Sequence, residues 1–567
     1  MGTVSPAPCP EGAGPLLEME GITFNYPGRP EPVLRGVDLS LGRGEVVLLT
    51  GPTGCGKSTL LKLLNGIIPL ESSGRLEGRV RLKGRDTRSC TLPELAQQVG
   101  LVFQSPDDQL FCTTIYDEVA FGPRNLGLAP AEVDRRVRRS LERVGLGGLT
   151  GGFSSRLSGG QKQRLAIAAQ LAMQPELLAL DEPISQLDPL GAAEVLKVVA
   201  ELARGGMTVL LVEHRLEEAL KLVSRVMVME AGRLVLDCPV ERLTEHMNLF
   251  LRLGLKLPER LMLCRRLGVP WGRETTAAIE RLRRRLQTRA QPEPAEKTPE
   301  ARETVMSLKG VAYTYPQARQ PALMGVSLEL RRGEVLAIVG PNGSGKSTLL
   351  SIMAGLCRPQ QGRVRLGERE LYAGRHRHRR QRLALLFQNP DLLLIEPSVL
   401  AQLTSPATRG RRARELQRAQ ELARRLGLED QADSPPWALS KGQRLRLALG
   451  SLLSLEPVVL LLDEPTTGQN QGSVHRLLEE IGRRPEIGAV VLCTHDLETV
   501  CRFAHRLLVL HQGRVRALGP VQEVLAEPAC LEGLCPAPPL ALELSRRAGL
   551  RPPLLTMDEL MRFLEEN

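Results

Sequence analysis

The chain has 567 residues, too many for one hydrophobic core, and length alone calls for three or four folding units. Hydrophobic residues make up 42% and charged residues 25%, the balance of a soluble globular protein rather than a disordered or membrane-embedded one. The net charge of +11 suits a nucleotide, the anionic face of a membrane or a nucleic acid, so charge does not choose among them.

The 11 cysteines form no C-x-x-C pair, which predicts a reduced, cytosolic chain rather than a disulfide framework or a paired-cysteine zinc site. The N-terminus has no basic start followed by an apolar stretch, so no signal peptide is expected. No apolar run reaches the roughly 18 residues that span a bilayer. A transport role would therefore need another chain to form the path.

After a tail over 1–15, GITFNYP at 21–27 alternates apolar residues and predicts an edge strand ending at an aromatic residue before Pro27. EVVLLT at 45–50 reads as a buried strand, and it feeds GPTGCGKST at 51–59. In that P-loop Gly51, Pro52, Thr53, Gly54, Cys55 and Gly56 let successive backbone N–H groups wrap phosphates. Lys57 reaches the terminal phosphate oxygens, Ser58 offers a hydroxyl to Mg²⁺, and Thr59 follows in the helix. VFQSPDDQLF at 102–111 places Gln104 just after another strand. Residues 131–144 are Arg-rich with apolar positions at helical spacing, the pattern of a helix with one solvated face.

LSGGQKQRLAIAAQLAMQPELLALDEPISQLD at 157–188 is the stretch around which the unit is organised. Ser158, Gly159, Gly160 and Gln161 read as a small turn leaving free N–H groups at the start of an apolar helix, a phosphate site. Pro175 is expected to end that helix, and 177–180 to form a buried strand delivering Asp181 and Glu182. Alternation along a strand would send the two acids to opposite faces and separate jobs. A glycine-rich turn before a core helix and strand is the structural alternative. The independent P-loop upstream argues against it.

The whole pattern then repeats. GVAYTYP at 310–316 answers the first strand. GPNGSGKST at 340–348 supplies Gly340, Pro341, Asn342, Gly343, Ser344, Gly345, Lys346, Ser347 and Thr348. LFQNPD brings Gln388, LSKGQ brings Ser440, Lys441, Gly442 and Gln443, DEP brings Asp463 and Glu464, and an apolar strand ends at His495 as another does at His214. The second copy departs at Lys441, where the first has glycine, and at Asn470, which faces Asp188. RHRHRR at 375–380 is basic, a solvated loop or a site for acidic lipid or RNA. Residues 411–428 repeat the Arg-rich helix.

These motifs closely resemble the ABC-type ATPases, and PDDQLF with TTIYDEVAFGPRNLGL and DEPTTGQ resembles the twin ATPases of energy-coupling-factor importers for vitamins and transition-metal ions. The implied fold is α/β: two P-loop NTPase domains of ABC type in tandem, each with a helical subdomain and a small antiparallel β subdomain. The boundaries expected are 16–239 and 305–521 for the ATPase domains, 240–286 and 522–567 for helical C-terminal extensions, and 287–304 for a flexible linker.

The resemblance implies two ATP molecules, each between one unit's P-loop and the other's signature turn. Tyr26 and Tyr315 would stack on adenine, packing at a strand end being the alternative. Mg²⁺ would be held by Ser58, Gln104 and Asp181, and by Ser347, Gln388 and Asp463. Glu182 and Glu464 would be general bases, with His214 and His495 on the γ-phosphate, although a core glutamine or histidine is the bland reading of Gln104 and His214. The implied partners are an integral-membrane scaffold (T-type) and a substrate-specificity (S-type) subunit, with the chain peripheral on the cytoplasmic side of the cell membrane and no nucleic acid bound. A sugar-importer twin ATPase is the rival within transport. A soluble ribosome-binding twin ATPase is the rival outside it, but such chains carry TNHLD after the acidic pair, unlike ISQLD or TTGQN here.

Overall fold

The computed structural model describes residues 14–567 except 186, 270, 289–290, 293–302, 317, 319, 373–382, 405–411, 466–470, 483, 485, 532–537 and 567. The basic run at 375–380, most of the 287–304 segment and Asn470 therefore lie outside the described residues, as does the side chain of Lys441. The chain divides into two compact units, Met1–Ile279 and Glu280–Asn567, with the division falling inside the helix Arg273–Gln287.

In the first unit β1 (Leu17–Asn25), β2 (Leu34–Leu41), β4 (Arg75–Leu82) and β5 (Arg85–Asp86) form an antiparallel sheet in the order β2-β1-β4-β5. β1 is thus interior, not the edge strand its alternation suggested. One face carries Leu17, Met19, Ile22 and Phe24 into the core, and alternation reports only that a single face is buried.

The second sheet runs β10-β9-β3-β8-β7-β6, built from β3 (Val46–Thr50), β6 (Val99–Val102), β7 (Leu177–Asp181), β8 (Thr208–Val212), β9 (Arg225–Glu230) and β10 (Arg233–Pro239). Its β9-β3-β8-β7-β6 pairs are parallel and in simple register, Val46 opposite Val209 and Leu177 opposite Thr208. VVLLT, LLALD and TVLLV are near-continuous apolar runs because both faces of these strands are covered. Since β3, β8, β7 and β6 are parallel neighbours, all four carboxyl ends open on one edge. The site assembles there.

Helices Ile115–Asn125, Pro130–Arg143 and Gly159–Ala172 make the helical subdomain, sharing a core of Val119, Val133, Val137, Leu141, Leu165 and Leu171. Phe250 and Leu261, from the helices Met247–Arg252 and Glu259–Leu267, belong to the same buried cluster, so the segment after β10 packs into the first unit's own core.

The second unit repeats the plan. β11 (Thr304–Tyr313), β12 (Leu323–Arg331), β14 (Gln361–Leu366) and β15 (Arg369–Glu370) run β12-β11-β14-β15. β13 (Glu334–Val339), β16 (Leu383–Leu386), β17 (Val459–Asp463), β18 (Ala489–Cys493), β19 (Arg506–His511) and β20 (Arg514–Pro520) run β16-β17-β18-β13-β19-β20.

Candidate functional site

β3 delivers the P-loop and β13 its repeat. Gly51 has φ 150° and Gly56 φ 108°. A Cβ on Gly51 would sit 2.2 Å from the Met229 carbonyl oxygen, and one on Gly56 2.8 Å from Leu34. The loop is therefore pressed against its own scaffold, and only glycine fits at these turns. The helices Lys57–Leu64 and Lys346–Met353 begin with no acidic residue in the first turn, leaving the positive helix end open to an anion. Lys57 is buried and its Nζ donates to the carbonyls of Gly51 (2.8 Å) and Pro52 (3.0 Å). Lys346 does the same with Gly340 (2.8 Å) and Pro341 (3.2 Å). The ammonium group is folded over the loop, where phosphate oxygens would displace weak carbonyl contacts. This cradle fits a nucleotide's phosphates.

β7 delivers Asp181, whose carboxyl burial pushes upward; the Ser58 hydroxyl opposes that rise, the Glu182 charge adds to it, and Lys57 and His214 counter it. Asp463 is raised for the same leading reason, eased by Ser347. Its Oδ1 is buried and lacks a hydrogen-bond partner among the described residues. A desolvated carboxylate beside a second carboxylate and a serine hydroxyl is an all-oxygen setting that a hard divalent cation relieves, so the residues fit Mg²⁺.

Glu182 does not continue β7. Its φ is 46°, that of Glu464 is 50°, and each N–H is held by a neighbouring strand end, Val212 O and Cys493 O, at 2.9 Å. Left-handed geometry at a non-glycine residue costs roughly 1 kcal/mol or more. This twist, not the strand pleat, separates the two acids. Glu182 Oε1 meets His214 Nε2 at 2.8 Å, and Glu464 Oε2 meets His495 Nδ1 at 2.9 Å. Gln104, from the end of β6, donates its amide to Glu182 Oε2 at 2.7 Å and to Ser185 Oγ at 3.3 Å. Gln388 is exposed and makes no hydrogen bond among the described residues, so the second unit does not reproduce that contact.

Tyr26 hydrogen-bonds Thr59 Oγ1 through its hydroxyl at 3.3 Å and packs edge-on against Phe24. Tyr315 repeats both contacts with Thr348 (3.2 Å) and Tyr313. Ser158 and Gln161 form a capping box: Gln161 Oε1 accepts the Ser158 N–H (2.9 Å) and Ser158 Oγ accepts the Gln161 N–H (3.3 Å). Gly159 and Gly160 are then the first helical residues rather than a preceding turn. The helix ends at Ala172, and the chain reverses at Gln174 (φ 59°) before Pro175 arrives. Ser440 and Gln443 keep the same box, with Lys441 as the first helical residue. In the first unit a Cβ on Gly159 would meet only the Leu187 side chain at 3.3 Å. One on Gly160 meets the Gly191 Cα at 3.1 Å, and that tighter position stays glycine in the repeat, as Gly442.

Two features escaped the sequence reading. Glu213, at the end of β8, is wholly buried behind His214; its only signal is an ionisable residue closing an apolar strand. The second is an apolar platform beyond Gln104. Buried Glu118 accepts the N–H groups of Phe111 (3.0 Å) and Cys112 (2.7 Å), holding Phe111 66% exposed with its ring edge-on to exposed Phe121. Gln402 accepts from Ile395 (3.0 Å) and Glu396 (3.1 Å) in the second unit, where Ile395 is 82% and Trp437 72% exposed. Both units thus hold out apolar side chains by the same device, although the residues differ. Asp107 and Gln109 are engaged internally, with Lys162 and with the backbone of Phe103 and Leu101.

Two P-loops, each beside a strand-end acidic pair and each in a unit that also carries a signature-type capped helix, define a double nucleotide-hydrolysing ATPase. Residues 34–185 and 323–467 each match the family described as ABC transporter, and the chain belongs to that family. It is an ATP-binding subunit of an ABC transporter, an ATPase that works with Mg²⁺. A Methanosarcina acetivorans chain provisionally named an ABC transporter ATP-binding protein is 39% identical over 574 residues, 94% of this chain and 89% of the relative. A Bacillus subtilis (strain 168) chain, provisionally named HMP/thiamine import ATP-binding protein YkoD, is 36% identical over 505 residues, 88% of this chain and 90% of its own. The structure of cbiO1 from Clostridium perfringens, described as part of the ABC transporter complex cbiONQ, overlaps with a TM-score of 0.38 at 33% identity, covering 44% of this chain and 98% of that one. Among the described residues no helix is long and apolar enough to cross a membrane.

Proposed function

We propose that this chain energises an importer of the energy-coupling-factor type, taking up a vitamin or a transition-metal ion. It does so from the cytoplasmic side of the cell membrane, through a T-type scaffold and an S-type specificity subunit. The observation that carries the reading is the paired Phe111 and Phe121 rings beyond the Gln104 loop, with exposed Ile395 following the Gln388 loop in the second unit. Solvent-facing Phe111, Phe121 and Ile395 cost free energy in water and are suited to an apolar helix end of a membrane partner. The PDDQLF and DEPTTGQ motifs and the import named for the Bacillus relative support the importer type.

At each site the P-loop glycines and lysine bind the phosphates. Ser58, Asp181 and Gln104, or Ser347, Asp463 and Gln388, hold Mg²⁺, which supplies charge neutralisation on the phosphates. Glu182 and Glu464 take the proton of the attacking water, and the His214 contact fixes the direction of the Glu182 carboxylate. Tyr26 and Tyr315 offer a face to adenine.

Affinity purification of the full chain from its native membrane tests the transport reading. Recovery of a small integral-membrane scaffold together with a substrate-binding membrane protein is the expected result. Recovery of a periplasmic-type sugar importer's subunits, or of ribosomes, would overturn it.

A further inference from the structure

Glu213 closes β8 and is fully buried, one residue before His214. Its two carboxylate oxygens reach two different segments. Oε1 accepts the N–H of Ile184 at 3.0 Å, and Oε2 accepts the N–H of His214 at 3.1 Å. Ile184 lies in the turn that Glu182 begins: the Ser185 N–H and hydroxyl both return to the Glu182 carbonyl, at 3.2 and 3.0 Å. Arg215 grips the same turn from the other side, through the carbonyls of Ile184 (3.3 Å) and Leu187 (3.4 Å). One carboxylate therefore ties together the backbones that carry both members of the 2.8 Å Glu182–His214 pair.

Burying an acid is expensive, and a neutral side chain satisfies a lone backbone N–H without that cost. The second unit makes the point. Thr494 stands at the equivalent place, also buried, and its hydroxyl accepts from the Asp496 N–H at 3.0 Å. Threonine offers one oxygen on a side chain two bonds shorter. Among the described residues, a side chain presenting two oxygens to these two segments is seen in the first unit.

We infer that Glu213 is a positioning residue for ATP hydrolysis in the first unit, clamping the Glu182 turn to the His214 backbone so that the reacting carboxylate keeps one direction. The inference rests on the reading of Glu182 as general base. Errors of about 1 Å in such a group cost on the order of 100-fold in rate.

The test uses the full chain carrying Glu464→Gln, so that single-turnover hydrolysis reports the first unit. Glu213→Gln keeps the bulk but turns one oxygen into an amide N–H₂ facing a backbone N–H, and Glu213→Ala removes the clamp. Both are expected to bind ATP within about 2-fold of the parent while hydrolysing it roughly 10- to 100-fold more slowly. Added to Glu182→Gln, either substitution is expected to slow hydrolysis by less than about 2-fold more, because it acts through that carboxylate. Hydrolysis by Glu213→Gln within about 2-fold of the parent would overturn the inference. So would rate losses that multiply in the double variant, or ATP binding that weakens as much as hydrolysis. Full activity of Glu182→Gln itself would instead defeat the assignment of the base.

Discussion

The hydroxyl of Tyr26 hydrogen-bonds the hydroxyl of Thr59, the residue that closes the P-loop motif, at 3.3 Å, and Tyr315 does so with Thr348 at 3.2 Å. The aromatic ring proposed to stack on adenine is thus tethered to the P-loop helix, which would hold base and phosphate subsites at a fixed separation. In a Lys346→Ala chain, where only the first site binds, Tyr26→Ala is expected to weaken ATP binding by about 1–3 kcal/mol, the worth of one base–aromatic stack. Tyr26→Phe keeps the ring and loses the tether, so its effect is smaller. Titration with a fluorescent ATP analogue separates them; equal losses would show that the hydroxyl, not the ring, matters.

Lys57→Ala combined with Lys346→Ala is expected to abolish ATP binding. Each ammonium is the buried counter-charge of its loop, and nothing else among the loop side chains is cationic. Equilibrium dialysis with Mg-ATP measures the stoichiometry, which falls from two to one in each single variant. Two sites remaining in the double variant would contradict the P-loop assignment.

The acid–histidine pairs predict a loss confined to chemistry. Glu182→Gln and Glu464→Gln each retain ATP but slow their own site by roughly 100- to 10,000-fold, the span of general-base catalysis. Rapid-quench single turnovers, read in the chain with the other glutamate replaced, give the two rates. A rate unchanged by either substitution would remove that glutamate from the reaction.

Glu118 is expected to matter for assembly and not for nucleotide binding. Glu118→Ala leaves the Phe111 and Cys112 N–H groups unpaired at about 1–3 kcal/mol and lets the platform loop drift. Phe111→Asp leaves the loop but spoils its apolar face. Capture of the membrane scaffold in detergent is expected to fall several-fold for both while ATP titrations match the parent. Undiminished capture by Phe111→Asp would move the partner contact elsewhere.

Glu213 also gives the first unit a pH signature. Burial pushes its carboxyl from 4.5 up to about 7; the Glu182 charge adds to the rise, while the Ile184 and His214 N–H groups and the Arg215 charge oppose it. Between those values the folded state holds a proton the unfolded chain has released. The contribution is therefore full below about 4.5 and is lost as pH rises through about 7. With Trp437→Phe, Trp271 becomes the lone tryptophan and reports the first unit, since the chain has only 2. Urea unfolding then loses roughly 1 kcal/mol per pH unit across that window relative to Glu213→Gln. Parallel pH profiles for parent and variant would refute the shift.

The parts legible in the sequence are those defined by backbone need. The P-loop requires glycine at turns where a Cβ would strike Met229 or Leu34, so the residue types expose it without reference to the fold. Asp181 and Asp463 follow apolar runs that end where the strands do. What stayed hidden depends on distant partners. β1 became interior because β4 pairs on its far side, some 60 residues later, and Glu182 left the pleat because Val212 captures its N–H. The same distance hides Glu213: a lone acid after a strand reads as solvated until Ile184, 29 residues earlier, is seen to need an acceptor. The second unit's platform was veiled differently, since exposure of Ile395 and Trp437 carries over where the residue pattern does not.

Because Asp181 is the last residue of β7, and Gln104, His214 and the P-loop follow the ends of β6, β8 and β3 with at most one residue intervening, the two edges of the central sheet respond differently to changes in chain length. At the amino edge, turns such as the one at Gly205 and Gly206 absorb an extra residue in solvent. At the carboxyl edge one inserted residue carries a reacting group about 3.3 Å along its strand and turns it to the opposite face. Variation in chain length is therefore expected to collect at one rim of the sheet, while the other admits changes of residue but not of count.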